Sequence, residues 1–285
     1  MNSLDIIYED ADLLVVNKPS GVIVNNADTT QHVTTLQDMV REYLGISNVT
    51  FAPLSASKYP ISNKTSHNPQ PITHNQEWET PEQAFINRSG IVHRLDKETS
   101  GIILVAKTVD AFKNLQEQFK NREVHKTYMA LSHGKIVPES GEISVPVGRL
   151  TFNRKRFGVV AGGRESVTGY KVIHEYVIPA KAGIQKNPGS PIRSGMTREI
   201  FSLVELHPKT GRTHQIRVHL QYIGHPIFGD ELYAGRKTAR EDRKILPRVF
   251  LHAAGISFIH PVSGKRVEFT APLPKELQEL LNKFK

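Results

Sequence analysis

A charged turn runs directly into an apolar segment in the stretch His93-Arg94-Leu95-Asp96-Lys97-Glu98-Thr99-Ser100-Gly101-Ile102-Ile103-Leu104-Val105-Ala106-Lys107. The apolar run from Gly101 to Lys107 predicts a strand that is buried on both faces. The turn before it would place Asp96 at the edge of a sheet, open to a cleft and supported by rigid structure. An isolated Arg-x-Asp turn is also typical of a local ion pair on a protein surface, so this pattern alone leaves both interpretations open.

Outward from this segment, short strands predominate over helices. Alternating or continuous apolar patterns predict strands at Leu4–Tyr8, Leu13–Val16, Val124–Leu131, 142–147, 157–160, 166–176, Glu199–Leu206, Leu251–Ile259 and Arg266–Phe269. Helical spacing predicts helices over 34–44, after Lys107, over Thr213–Ile223 and from Pro274. Most connections between strands are too short for a parallel crossover. We therefore expect an α+β fold with a mixed, largely antiparallel sheet and flanking helices.

Length and composition indicate one globular domain over residues 1–285. The 285 residues include 37 Lys and Arg against 28 Asp and Glu, a net charge of +9, which suits a polyanionic partner. Cysteine is absent, which excludes disulfides, thiolate catalysis and cysteine-based zinc sites. The acidic start and the lack of a long apolar run predict a protein of the cytoplasm, without a membrane segment.

Two segments lack any sustained hydrophobic period and are predicted to be flexible insertions. The first runs from Asn48 to Arg88 and is rich in proline, serine and asparagine. The second, Val177 to Arg198, is basic and is expected to extend from a hairpin. Because lengthening a surface loop costs little free energy, we expect the fold to tolerate both.

A second polar segment is Thr210-Gly211-Arg212-Thr213-His214-Gln215-Ile216-Arg217-Val218-His219-Leu220. Arg212 comes before the predicted helix, and His214 and Arg217 share one of its faces. Basic side chains at the start of a helix oppose the helix dipole. A bound anion or a carboxylate partner would account for them.

Together these segments closely resemble the RluA-type RNA pseudouridine synthase family. That family carries H-R-L-D-x-x-T-S-G around a catalytic aspartate, and Asp96 occupies that position. The other matching motifs occur in the family's order: Asn17-Lys18-Pro19-x-Gly21, Lys126-x-Tyr128-x-Ala130, Gly211 to His219, Gly224-His225-Pro226-Ile227-x-Gly229-Asp230 and Leu251-His252-Ala253. Three features depart from the family: Val24-Asn25-Asn26 replaces its Val-His-Pro, no S4-type RNA-binding module precedes the motifs, and 177–198 is additional.

The resemblance implies the pseudouridine synthase fold and a reaction that needs no metal and no cofactor. Asp96 would be the catalytic nucleophile, attacking either C1′ of the ribose or C6 of a uracil that is flipped out of its stack. Tyr128 would stack on that base, and Arg94 would fill the gap it leaves. Arg212 would pair with Asp96, and Leu251 would line the pocket.

The implied partner is ribosomal or transfer RNA, bound by a monomer without an obligate protein partner. One alternative is a metal enzyme, since four histidines lie close together in the sequence: His207, His214, His219 and His225. His214 and His219 are five residues apart and would diverge on a helix, which disfavours a shared metal. The other alternative is an RNA-binding module that has lost turnover.

Overall fold

A computed structural model describes residues 4–27, 30, 32–46, 80–151, 153, 156–179 and 198–285. These ranges contain the strands β1 (Ile6–Glu9), β2 (Leu13–Lys18), β3 (Ser100–Ala106), β4 (His125–His133), β5 (Ser140–Ser144), β6 (Val147–Arg149), β7 (Phe157–Val159), β8 (Val167–Pro179), β9 (Arg198–Pro208), β10 (Leu251–Ile259) and β11 (Arg266–Thr270). They also contain the helices α1 (Leu36–Tyr43), α2 (Pro81–Asn87), α3 (Val109–Lys120), α4 (Gln215–Tyr222), α5 (Arg236–Asp242) and α6 (Lys275–Lys283). Within these ranges, no helix is long and apolar enough to cross a membrane.

One large sheet organises the molecule. Its strand order is β1-β2-β3-β10-β4-β9-β8-β5, and β11 pairs with β10. Neighbouring strands are antiparallel, except that β3 and β10 are parallel. The predicted α+β fold with a mixed, largely antiparallel sheet is confirmed. Strands β6 and β7 form a separate hairpin.

Strand β3 lies between two layers of the core, which explains its unbroken apolar sequence. All seven of its residues are buried. On one face, Ile102 and Leu104 belong to a cluster that contains Phe112 of α3. On the other face, Ile103 and Val105 belong to a cluster that contains Leu36 of α1. With helices on both sides, this strand gives a rigid base to the turn that carries Asp96.

The start of α1 shows how the departure at residues 24–26 is accommodated. Thr35 caps the helix and forms a capping box with Asp38. The Asn26 side chain donates to Asp38 at 2.7 Å and also accepts a hydrogen bond from the Thr35 hydroxyl. Asn26 therefore stabilises the beginning of α1 in this chain.

The first predicted insertion ends earlier than we expected. Helix α2 lies within the segment 48–88, where the sequence suggested no regular structure. Thr80 caps α2 through a capping box with Gln83, and Pro81 occupies its first turn. Phe85 packs edge-on against Phe112 of α3 at 5.8 Å between ring centroids. The helix is too short to show a clear period in the sequence.

The rest of both predicted insertions lies outside the described residues. This applies to 48–79 and to 180–197. The ends of the second segment are extensions of β8 and β9, which pair up to Pro179 and Arg198. The predicted hairpin between these strands is therefore present, and it is longer than expected.

Gly101 permits the parallel pairing of β3 with β10, and we expect Gly101→Ala to destabilise the fold. Its φ is +114°, and a Cβ atom would lie 2.2 Å from the Ala253 carbonyl oxygen. The expected loss in free energy of unfolding is about 3 kcal/mol, from strain and steric overlap. Urea denaturation measures it. The control Gly162→Ala has φ +75° and open space around the new Cβ, so it should lose only about 1 kcal/mol. Equal losses would contradict the steric explanation.

Candidate active site

A cleft of about 110 Å³ lies beside the Asp96 turn. Its walls come from that turn, from β4, from the segment before α4 with the first turns of α4, and from the start of β10. The cleft brings together all five residues that the sequence singled out: Arg94, Asp96, Tyr128, Arg212 and Leu251. These residues are far apart in sequence, so the fold assembles one site from four segments.

The Asp96 carboxylate is partly buried, with 20% of its side chain exposed. Its Oδ2 atom accepts a hydrogen bond from Nη1 of Arg217 at 3.1 Å. Nε2 of His214 lies 3.8 Å from the same oxygen. The carboxylate therefore faces a cation and a ring nitrogen while remaining accessible from the cleft.

Arg217 is anchored behind Asp96 by a second carboxylate. Its Nε and Nη2 atoms donate to Asp230 at 2.7 and 2.9 Å in a bidentate pair. Asp230 is fully buried and also accepts from the backbone N–H groups of Leu232 and Tyr233. Burial acts to lower the pKa of Arg217, but Asp230 and Asp96 outweigh it and raise that pKa. Arg217 is thus a permanent cation in a fixed orientation.

The predicted pairing of Arg212 with Asp96 is wrong. Arg212 lies before α4, and its Nε donates to the carbonyl oxygen of Glu165 at 3.2 Å. Its backbone N–H donates to the side chain of Gln215 at 3.0 Å, which fixes the turn. Arg217, inside α4, makes the ion pair instead. The sequence contained both arginines and Asp230, but spacing alone did not show which side chain reaches Asp96.

His214 faces Asp96 as a neutral side chain. Burial lowers its pKa, despite the opposing effect of Asp96. The Tyr233 hydroxyl oxygen accepts from the Phe157 N–H at 3.0 Å and lies 2.9 Å from Nδ1 of His214. The hydroxyl can donate its proton to Nδ1, an arrangement that would leave the ring proton on Nε2, on the side of Asp96.

Tyr128 presents a neutral phenol to the cleft. Burial, followed by the negative charge of Asp96, raises its pKa. Among the described residues, its hydroxyl has no hydrogen-bond partner. The side chain therefore offers a flat apolar face and a free polar group to a ligand.

Lysine 18 supports the Asp96 turn from behind, a role that sequence reasoning did not assign. Its side chain is completely buried, and Nζ donates to the carbonyl oxygens of Pro19, Val22 and Lys97 at 2.9, 2.8 and 3.1 Å. Burial lowers the pKa of Lys18 to about 7, whereas three accepting carbonyls favour the ammonium form. Ser20 adds a hydrogen bond to the Glu98 carbonyl at 2.8 Å.

A buried network fixes the other end of the turn at Ser100. Arg248 donates to the Ser100 hydroxyl at 2.9 Å and to the Leu251 carbonyl at 3.0 Å. The Ser100 hydroxyl lies 2.9 Å from Nδ1 of His252, whose Nε2 lies 3.1 Å from the Ala271 carbonyl. The network joins the end of the turn to the start of β10, the strand that carries Leu251.

The cleft is strongly cationic. Among the described residues that line it, four permanent or potential cations accompany one carboxylate, Asp96; the cations are Arg94, Lys126, Arg212 and Arg217. Arg94 is exposed at the site, and burial lowers the pKa of Lys126 to about 8. Such a surface suits a ligand with several negative charges.

The neighbouring histidines have separate partners. His214 contacts Tyr233, His219 lies 3.3 Å from the Val145 carbonyl, and His225 lies 2.9 Å from the His133 carbonyl. Across the described ranges, no three His, Asp or Glu side chains are grouped as metal ligands. The geometry of these histidines therefore gives no support to a metal centre.

A family model described as RNA pseudouridylate synthase matches residues 12–222, most of the chain. The chain belongs to this family. The resemblance predicted from the motifs is confirmed, and so is the prediction of an isomerase of the pseudouridine synthase type. The match includes the Asp96 turn, Tyr128 and both arginines of the second segment.

Individual relatives agree with the family match. The uncharacterized RNA pseudouridine synthase YlyB of Bacillus subtilis is 33% identical over 282 residues, covering 99% of this chain and 73% of that protein. Ribosomal large subunit pseudouridine synthase D of Neisseria meningitidis is 35% identical over 287 residues, covering 98% of this chain but 61% of that protein. The solved structure of human RNA pseudouridylate synthase domain containing 1 has a TM-score of 0.60 and 26% identity, covering 99% of this chain and 94% of that one.

Proposed function

We propose that this chain converts uridine to pseudouridine in structured RNA, with Asp96 as the nucleophile. The observation that carries the proposal is the accessible Asp96 carboxylate, paired with Arg217 at 3.1 Å in a cationic cleft. A nearby cation stabilises the ionised form of a partly buried carboxylate, which is the form that attacks. The choice of reaction is supported by the chain's membership of the RNA pseudouridylate synthase family.

The proposed reaction is an internal rearrangement that consumes no second substrate. Asp96 forms a covalent bond to the target nucleotide, and the bond between C1′ and N1 breaks. The detached uracil turns, C5 bonds to C1′, and the bond to Asp96 is released. The proton on C5 leaves to solvent and N1 gains one, so atoms and charge balance without a metal or a redox cofactor.

The other cleft residues have proposed roles in holding the base. The target uridine must leave its stack to reach Asp96. Tyr128 then stacks on the uracil, and Leu251 forms the opposite apolar wall. Arg94, exposed at the site, occupies the gap left in the RNA, and Arg212 contacts the phosphate backbone instead of Asp96.

The proposed substrate is ribosomal RNA, transfer RNA or both, modified in the cytoplasm by a monomeric enzyme. Ribosomal RNA is supported by the relative from Neisseria meningitidis, whose name refers to the ribosomal large subunit. Pseudouridine mapping across all RNAs, in cells with and without the gene, identifies the modified position. This assignment would be supported by a pseudouridine in ribosomal RNA that is absent from cells without the gene and returns when the gene is restored.

Release of the C5 proton gives the direct test of activity. The purified chain is incubated with ribosomal RNA tritiated at uridine C5, and tritium in the solvent is counted. We expect release that rises with time and continues in the presence of a chelator. An RNA complex without release would instead indicate a binding module that lacks turnover.

Affinity for RNA should depend steeply on salt. Cleft cations and a net charge of +9 favour contacts with phosphates, and each phosphate neutralised contributes a slope of about 0.7–0.9 in the logarithm of the association constant. Binding titrations at several salt concentrations measure this slope. Arg212→Met should lower this slope by about 0.7–0.9, the contribution of one phosphate contact. An affinity that does not depend on salt would instead favour recognition through the bases alone.

A further inference from the structure

Arg243 links the two halves of the candidate active site from behind. Its Nη1 and Nη2 atoms donate to the two Glu98 carboxylate oxygens at 2.9 and 2.6 Å. Its Nε donates to the Gly229 carbonyl oxygen at 2.7 Å, and Nη1 also donates to the Pro247 carbonyl at 2.9 Å. The side chain is 17% exposed and is not among the residues that line the cleft.

The two main contacts of Arg243 lie next to the two members of the central ion pair. Glu98 follows Asp96 by two residues in the same turn. Gly229 immediately precedes Asp230, which holds Arg217 in its bidentate pair. One planar guanidinium therefore connects the segment of the nucleophile with the segment that orients its cation.

The backbone of Gly229 is held in place by other contacts as well as by the hydrogen bond from Arg243. The Gly229 N–H donates to the Asp242 carboxylate at 2.9 Å, while the carbonyl accepts from Arg243. Its φ is +75°, and a Cβ atom would lie 2.2 Å from the Arg248 carbonyl oxygen. Both polar groups of this peptide segment are thus fixed by neighbouring residues at the end of α5.

Glu98 is also bound at a second point. The oxygen that accepts from Nη2 of Arg243 lies 3.3 Å from the Val249 N–H, just before β10. Asp96 and Arg217 are separated by 121 positions in sequence. Their relative position consequently depends on contacts between the segments that carry them.

We propose that Arg243, through Glu98 and Gly229, is a positioning residue that sets the distance between Asp96 and Arg217. The kinetic part of this inference rests on the proposed function. Because a displacement of about 1 Å can cost about a hundredfold in rate, loss of the connection should lower kcat. It should leave KM unchanged, because Arg243 does not line the cleft.

The kinetic test compares Arg243→Met, Glu98→Gln and the double variant over a range of RNA concentrations that reaches saturation. We expect each single variant to lower kcat by about tenfold to a hundredfold, with KM within about twofold. The double variant should lose little more than Arg243→Met, because the pair acts as a unit. Arg240→Met is the control, since it removes an arginine of α5 that lies three residues before Arg243 and is 73% exposed, and its kcat should be unchanged.

A second measurement does not require activity. Hydrogen exchange of the Arg217 Nε–H reports on its bond to Asp230, and the backbone N–H of Val105 in β3 reports on the global fold. In Arg243→Met we expect exchange at Arg217 to accelerate at least tenfold while Val105 is unchanged, and Arg240→Met should alter neither. Unchanged exchange at Arg217 with normal kcat would overturn the inference. If exchange at Arg217 accelerates in Arg243→Met but the wild-type protein shows no turnover, the positioning role stands and the proposed function alone is refuted.

Discussion

Replacing Asp96 with asparagine is expected to abolish turnover while the protein still folds and binds RNA. Asparagine keeps the size and shape of the side chain, but it has no negative charge and cannot attack as a carboxylate. Removal of a nucleophile costs other enzymes about 10⁴-fold or more in rate. The same loss is expected in tritium release at saturating RNA, with RNA affinity within a few fold of the wild type.

The control for this variant is Asp110→Asn. Asp110 is an exposed aspartate in the first turn of α3, so its replacement also removes one negative charge. We expect normal turnover and a small loss of stability, because an acidic residue favours the start of a helix. Turnover by Asp96→Asn within tenfold of the wild type would show that another group is the nucleophile.

The central fold could be predicted from the sequence because its signals are local. The run from Ile102 to Ala106 is apolar at every position, which is typical of a strand covered on both faces. The turn residues before it and the motif order then placed Asp96 correctly in the cleft. Helix α2 was missed, because seven residues carry too little periodic signal beside a proline-rich segment.

The details of the site depend on contacts that a linear pattern does not contain. Arg212 and Arg217 are both basic, and both lie near the start of α4. His214 lies between them in a left-handed conformation with φ of +58°, so α4 begins at Gln215 and not at Thr213, where the sequence predicted its start. The pair of Glu98 and Arg243 spans 145 positions and has no sequence signature. Such pairs become visible only when the fold is known.

Among substitutions of the residues that surround Asp96, Arg217→Met should cause the largest loss of stability and of turnover. It removes the hydrogen bond to Asp96 and leaves Asp230 buried without a cation, at a cost of about 3–5 kcal/mol in the free energy of unfolding. Turnover should fall by about a thousandfold, a loss on the scale of about 4 kcal/mol in the activation barrier. Urea denaturation and tritium release measure the two effects.

A double variant separates the two consequences of losing Arg217. In Arg217→Met/Asp230→Asn, the amide oxygen can still accept from the N–H groups of Leu232 and Tyr233, but no buried charge remains. Stability should therefore recover by more than half, whereas turnover should stay as low as in Arg217→Met. Arg212→Met is the matched control and should retain most of its turnover at saturating RNA. If Arg212→Met lost turnover and Arg217→Met retained it, Arg212 would be the functional partner of Asp96 and the ion pair described above would be irrelevant to catalysis.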